Sequence, residues 1–135
     1  MTQQEISLLL QDLCARLPYE VKVSILGGGA MPLKNLINSS IGWYADVEGA
    51  PTDFSIDEIK PYLRPMSSMT DEEKSYVQQC IDIVEAENYG DSYSPAAWDA
   101  MSDFTNYCYE RHLDLHGLIP KSLALNAPEG MYEIK

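Results

Sequence analysis

With 135 residues, 45% of them apolar, the chain suits one domain and is long enough to bury a core, so disorder is excluded as its default state. Its net charge of −12 sits between Asp46 and Glu110, where fifteen acids face only Lys60, Arg64 and Lys74 and the segments on either side are balanced. Such a surface repels phosphate backbones and disfavours direct nucleic-acid binding, leaving a solvated face or a surface offered to a basic protein partner.

No run of about 18 apolar residues is present to span a bilayer, so no membrane segment is expected. The start MTQQEISLLLQDL lacks the basic residues and small-residue cleavage site of a signal peptide, and a cytoplasmic location is expected. Cys14, Cys80 and Cys108 are odd in number and widely spaced, each on an apolar helical face. They read as reduced core thiols, without disulfides.

Thr2 and Glu5 have the spacing of a capping box, and Ile6, Leu9, Leu10, Leu13 and Leu17 follow on one helical face until Pro18 ends the helix. Val21, Val23 and Ile25 then alternate with Lys22 and Ser24, as a half-buried strand does. Gly27, Gly28 and Gly29 make a loose hairpin loop; the Gly-Lys-Ser/Thr that a phosphate loop needs does not follow. Leu33 to Asn38 is a second extended segment. Trp43, Ala45 and Val47 face one way in a third, opposite Tyr44, Asp46 and Glu48, and Phe54, Ile56 and Ile59 lead on as a fourth strand or a short turn.

The stretch IKPYLRPMSSMTDEE, Ile59 to Glu73, changes the character of the chain. Pro61 and Pro65 exclude a helix and push Lys60 and Arg64 towards extended geometry, while Tyr62, Leu63 and Met66 are too apolar for a free linker. An ordered strap over a core is expected, with Arg64 paired to a helix carboxylate. Thr70 and Glu73 form a second capping box, and Val77, Cys80, Ile81 and Val84 then mark the buried stripe of a helix from Asp71 to about Glu87 that stops at Asn88, Tyr89 and Gly90. Ser94 and Pro95 start a third helix, buried along Ala97, Met101, Phe104 and Cys108, flanked by Trp98 and Thr105 and ended by Gly117. In the tail, Leu118, Ile119, Leu123 and Leu125 are expected to pack back, and Met131, Tyr132 and Ile134 to add an edge strand.

The pattern implies an α+β single domain over 1–135: a helix and small antiparallel sheet, SH3-like and partly barrelled, in 1–58, the strap in 59–70, and two helices with a packed tail in 71–135. Arg111, His112, Asp114 and His116 are the densest candidate for chemistry. His112 and His116 are four apart, so a persisting helix puts both rings on one face, with Asp114 as a third metal ligand for a small hydrolase. Against this stands the favourable placement of basic groups near a helix C-terminus. Gly-x-Ser-x-Gly, Walker and dinucleotide patterns are absent from the sequence, and no cofactor is implied. Nine tyrosines supply amphipathic area; those at 76, 89, 93, 107 and 109 fall beside the buried stripes, suiting a protein-binding surface or a half-covered boundary. Arg64, Tyr76, Tyr107, Arg111 and His112 are the candidate interaction residues.

The hinge KPYLRPMSSMTDEE, the early LLLQDLCARLPYEVKV and the late HGLIPKSLALNAPEGMY together resemble a family of short uncharacterised proteins encoded by phages and integrated mobile elements of gut anaerobes. The resemblance touches both ends and the middle, and implies a small intracellular single-domain protein of prophage-like regions. There the late stretch more often reads HHFDYRGLI, against RHLDLHGLI here. His116 thus stands at an arginine position, which argues against its serving as a metal ligand. The leading expectation is a non-enzymatic accessory protein that works through protein contacts; the alternatives are the metal-dependent hydrolase and an acidic mimic of nucleic acid.

Overall fold

Thr2 accepts the Glu5 amide on its hydroxyl at 3.1 Å, and the Glu5 carboxylate accepts the Thr2 amide at 2.9 Å, closing the capping box that starts α1 (Gln3–Arg16). Pro18 cannot continue the ladder, so α1 gives way to a 3-10 turn over Leu17–Tyr19. The computed structural model describes residues 2–25, 29–50, 52–88, 90 and 92–132. Gly27 and Gly28 of the hairpin loop, Tyr89 of the helix stop and Ile134 of the expected edge strand lie outside the described residues.

The architecture is α+β. Among the described residues, β1 (Lys22–Ile25), β2 (Ala30–Ser39), β3 (Gly42–Val47), β4 (Phe54–Ser55), β5 (Ile59–Leu63) and β6 (Leu125–Asn126) form one sheet, in the order β4-β3-β2-β1-β5-β6. β4 and β6 stand at opposite ends of this order and do not pair with each other among the described residues, so the sheet is open between them. Alternation places Ala45 and Val47 of β3 in the core, and a register shift between Leu33 and Asn35 lets the long β2 turn from β1 to β3.

Two expectations are corrected. Ile59–Leu63 is ordered and extended but is not a strap: it is β5, an interior strand whose Ile59, Pro61 and Leu63 are buried. Pro61 is tolerated because β6 reaches only Tyr62 and Leu63, leaving Pro61 with a strand partner, Val23, on one side alone. The sheet is also not wholly antiparallel, since β6 runs parallel to β5. That edge strand comes from Leu125–Asn126 rather than from Met131 and Tyr132.

Leu9 and Leu13 of α1 cover the sheet, meeting Val21, Val23, Ile59, Leu63, Leu118 and Leu123 in one core. Cys14, expected in that core, is exposed, whereas Cys80 and Cys108 are buried. The remaining helices, α2 (Asp71–Ala86) and α3 (Pro95–Glu110), pack on each other through Val77, Cys80, Ala97, Ala100 and Cys108, and α3 also reaches α1. Among the described residues no helix is long and apolar enough to cross a membrane.

Candidate functional site

Thr70 caps α2 by accepting the Glu73 amide at 3.2 Å, and the Thr70 amide donates to Glu73 Oε1 at 2.8 Å. This capping turn is covered by the chain, so the Glu73 carboxylate is only 1% exposed and needs charged partners. Arg64 supplies them from the end of β5, donating from Nη2 to Oε1 at 2.6 Å and from Nη1 to Oε2 at 2.8 Å. These bonds are the largest cause that holds the Glu73 carboxyl down to about 2, against the opposing effect of burial. Arg64 also donates to the Ser68 and Arg111 carbonyls.

From Glu73 the arrangement runs outward. Arg111 Nη1 lies 3.7 Å from Glu73 Oε2, and its guanidinium sits over the Tyr107 ring at 4.6 Å. Tyr107 in turn stacks on Tyr76 across the α2–α3 interface, with ring centroids 4.2 Å apart. Arg64, Tyr76, Tyr107 and Arg111, chosen from the sequence as interaction residues, are therefore one connected row. Within it Arg64 is buried, while both tyrosines and Arg111 are half-buried.

α3 ends at Glu110, and His112 adopts a left-handed backbone with φ of 60°. The helical face that was to present His112 and His116 together therefore does not exist. His112 stacks on Tyr132 at 3.8 Å, and burial is the main reason that its imidazole is lowered to about 4, with the charges of Arg16, Arg64 and Lys22 adding to the effect. Asp114 accepts the amides of Leu118 (2.7 Å) and Ile119 (3.0 Å), one on each carboxylate oxygen. His116 Nε2 meets the Tyr109 hydroxyl at 2.7 Å. Among the described residues no group of three or more His, Cys, Asp or Glu side chains is placed to hold a metal ion.

The loop that follows α3 ties the two cores together. Arg64 donates its amide to the His112 carbonyl at 2.7 Å and accepts from the Asp114 amide at 2.8 Å, extending the sheet by a parallel bridge. From the other side Arg16 clamps Asp12 and donates to the Leu113 carbonyl, with its guanidinium over the Tyr109 ring at 5.1 Å. Through the Arg64 backbone and the Arg16 guanidinium this loop is joined to β5 and α1, elements far from it in sequence.

At the other end of the α2–α3 pair the chemistry differs. Ile81 and Val84 of α2 face Ala100, Met101 and Phe104 of α3 across a groove of about 280 Å³, with Glu85 among its walls. Ile81, expected on the buried stripe, is 39% exposed; Ile83 and Trp98 are 44% and 60% exposed. Tyr93 meets the edge of Trp98 at 6.1 Å. Sequence periodicity missed this surface because it reports an apolar face but not whether anything covers it. Ile83, apolar yet off the stripe of Val77, Cys80 and Val84, was the available signal.

No family model, curated protein or solved structure matches this chain. Its chemistry rests on its own groups. Burial raises both the Cys80 thiol and the Cys108 thiol, the latter to about 11, so both stay protonated near neutral pH and are poor nucleophiles. Among the described residues, the apolar groove between α2 and α3, with acids around it, lies exposed at the surface.

Proposed function

We propose that this chain is a non-enzymatic accessory protein of a phage or mobile element, acting by contact with a basic protein through its acidic half. One observation carries the reading: from Ser75 to Glu110 the sequence holds seven acids and no Lys, Arg or His, and these residues make up most of α2 and all of α3. A single-sign field of this kind attracts a basic partner from a distance and rejects acidic ones, nucleic acid included. The bare end of the α2–α3 pair supports the same reading, because exposed apolar side chains rimmed by charge suit a protein contact.

The test is co-purification of the tagged chain from its native host at low salt, beside a variant carrying Asp82→Asn, Glu85→Gln, Asp99→Asn and Asp103→Asn. The reading expects a basic protein that is retained by the parent, lost from the neutralised variant and released by raising the salt to about 0.5 M, where charge attraction is screened within about 4 Å. Recovery of no specific protein at low salt, or equal recovery with both chains, overturns it.

A further inference from the structure

We infer that the groove between α2 and α3 receives one amphipathic helix of that basic partner, an inference that rests on the function proposed above and locates it. The apolar stripes explain why the groove is unfilled. On α2 the stripe runs Val77, Ile81, Val84, and on α3 it runs back through Cys108, Phe104 and Met101. Near the loop that joins the cores, Val77 and Cys108 are buried; further out, Ile81 is exposed and Val84, Met101 and Phe104 are only half-buried. The same faces that the body covers at one end run on uncovered at the other.

A groove between two antiparallel helices is completed by a third helix, whose side chains at i, i+3 or i+4, and i+7 settle between the two ridges. Trp98, three residues before Met101 on the same side of α3, adds a large exposed anchor of the kind that dominates binding energies. Charge selects the occupant. Glu85 is part of the groove wall, and every ionisable side chain from Ser75 to Glu110 that carries charge near neutral pH is an acid. A second copy of this chain would bring seven acids against seven, so self-association through the groove is disfavoured, whereas a helix with lysine or arginine beside its apolar stripe is matched on both counts.

Binding of two labelled synthetic peptides to the full chain, read by fluorescence anisotropy at low salt, tests this. One is a leucine–lysine peptide patterned as an amphipathic helix; the other has the same composition, scrambled so that no apolar face forms. The patterned peptide is expected to bind at least about tenfold more tightly, and Ile81→Ser with Trp98→Ala, both at exposed positions and both charge-neutral, to remove about that advantage. Equal binding of both peptides, unchanged by these substitutions, refutes the groove while leaving the acidic-surface reading standing. Binding of neither peptide refutes both. Sedimentation showing a dimer of the parent that Ile81→Ser dissociates also overturns the inference, by assigning the groove to a second copy.

Discussion

Arg64 grips both oxygens of Glu73, at 2.6 and 2.8 Å, while the same carboxylate accepts the Thr70 amide that opens α2. One side chain thereby anchors a helix start to the end of an interior strand. Removing Arg64 alone leaves a buried, uncompensated carboxylate whose remaining cation, Arg111, is 3.7 Å away. Arg64→Met is expected to cost roughly 3–5 kcal/mol in urea denaturation. Arg64→Met with Glu73→Gln, which keeps the capping bond and removes the charge, should recover more than about 1 kcal/mol of that loss. Additive effects of the two changes would show that the pair is not coupled.

Acid should unfold the protein in two stages. His112 is lowered from 6.5 to about 4, so between these values the unfolded chain takes a proton that the folded chain refuses. The stability that this neutral ring contributes is present above pH 6.5 and is lost as the pH falls towards 4, by at most about 3 kcal/mol. Glu73, lowered from 4.5 to about 2, adds a second loss that begins near 4.5 and runs through 2. His112→Asn, which tolerates the left-handed backbone, should flatten the first stage and leave the second. Midpoints of urea unfolding measured across pH check both, and titration of the His112 ring near 6.5 by NMR would contradict the first.

Added zinc should leave the melting temperature unchanged. Asp114 already spends one oxygen on the Leu118 amide and one on the Ile119 amide, and His112 and His116 engage different tyrosines. Asp114→Asn keeps one acceptor and loses the other, leaving an amide of the 114–119 turn without its partner, at about 1–3 kcal/mol. A rise in melting temperature on adding zinc, abolished by Asp114→Asn, would restore the hydrolase alternative.

What was legible in the sequence was local. Both capping boxes, the α1 stripe and the alternation of β3 are set by spacing within a few residues, and the structure forms each of them. The Arg64 pairing was legible too, because a lone cation between two prolines precedes a run of acids. What failed depended on partners distant in sequence. Pro61 argues against an interior strand unless it is known that β6 stops short of it, and a two-residue parallel strand at Leu125–Asn126 leaves no periodic trace. His112 and His116 looked paired only on a helix that ends before either. Ile81 shares its periodicity with buried Val77, and only the fold shows that the cover runs out between them.

One hydroxyl ties the end of the tail to two strands. Tyr132 accepts the Lys22 amide at 2.9 Å and donates to the Tyr62 carbonyl at 2.8 Å, touching β1 and β5 at once, and its ring lies on His112. Burial raises this phenol to about 12, so the hydroxyl keeps its proton and both bonds persist across the range in which the protein is folded. Tyr132→Phe preserves the stack and deletes the hydroxyl, leaving a part-buried amide and carbonyl without it, and is expected to cost about 1–3 kcal/mol. Tyr132→Ala, which also strips the cover from His112, should cost more and should move the His112 titration upward from about 4 as water reaches the ring. Hydrogen exchange at the Lys22 amide separates the two effects: it should speed up in both variants, while the His112 titration moves only in the second. Unchanged exchange at Lys22 in Tyr132→Phe would show that the hydroxyl does not hold the tail against β1, leaving its β6 pairing and the packing of Leu118 and Leu123 to do so.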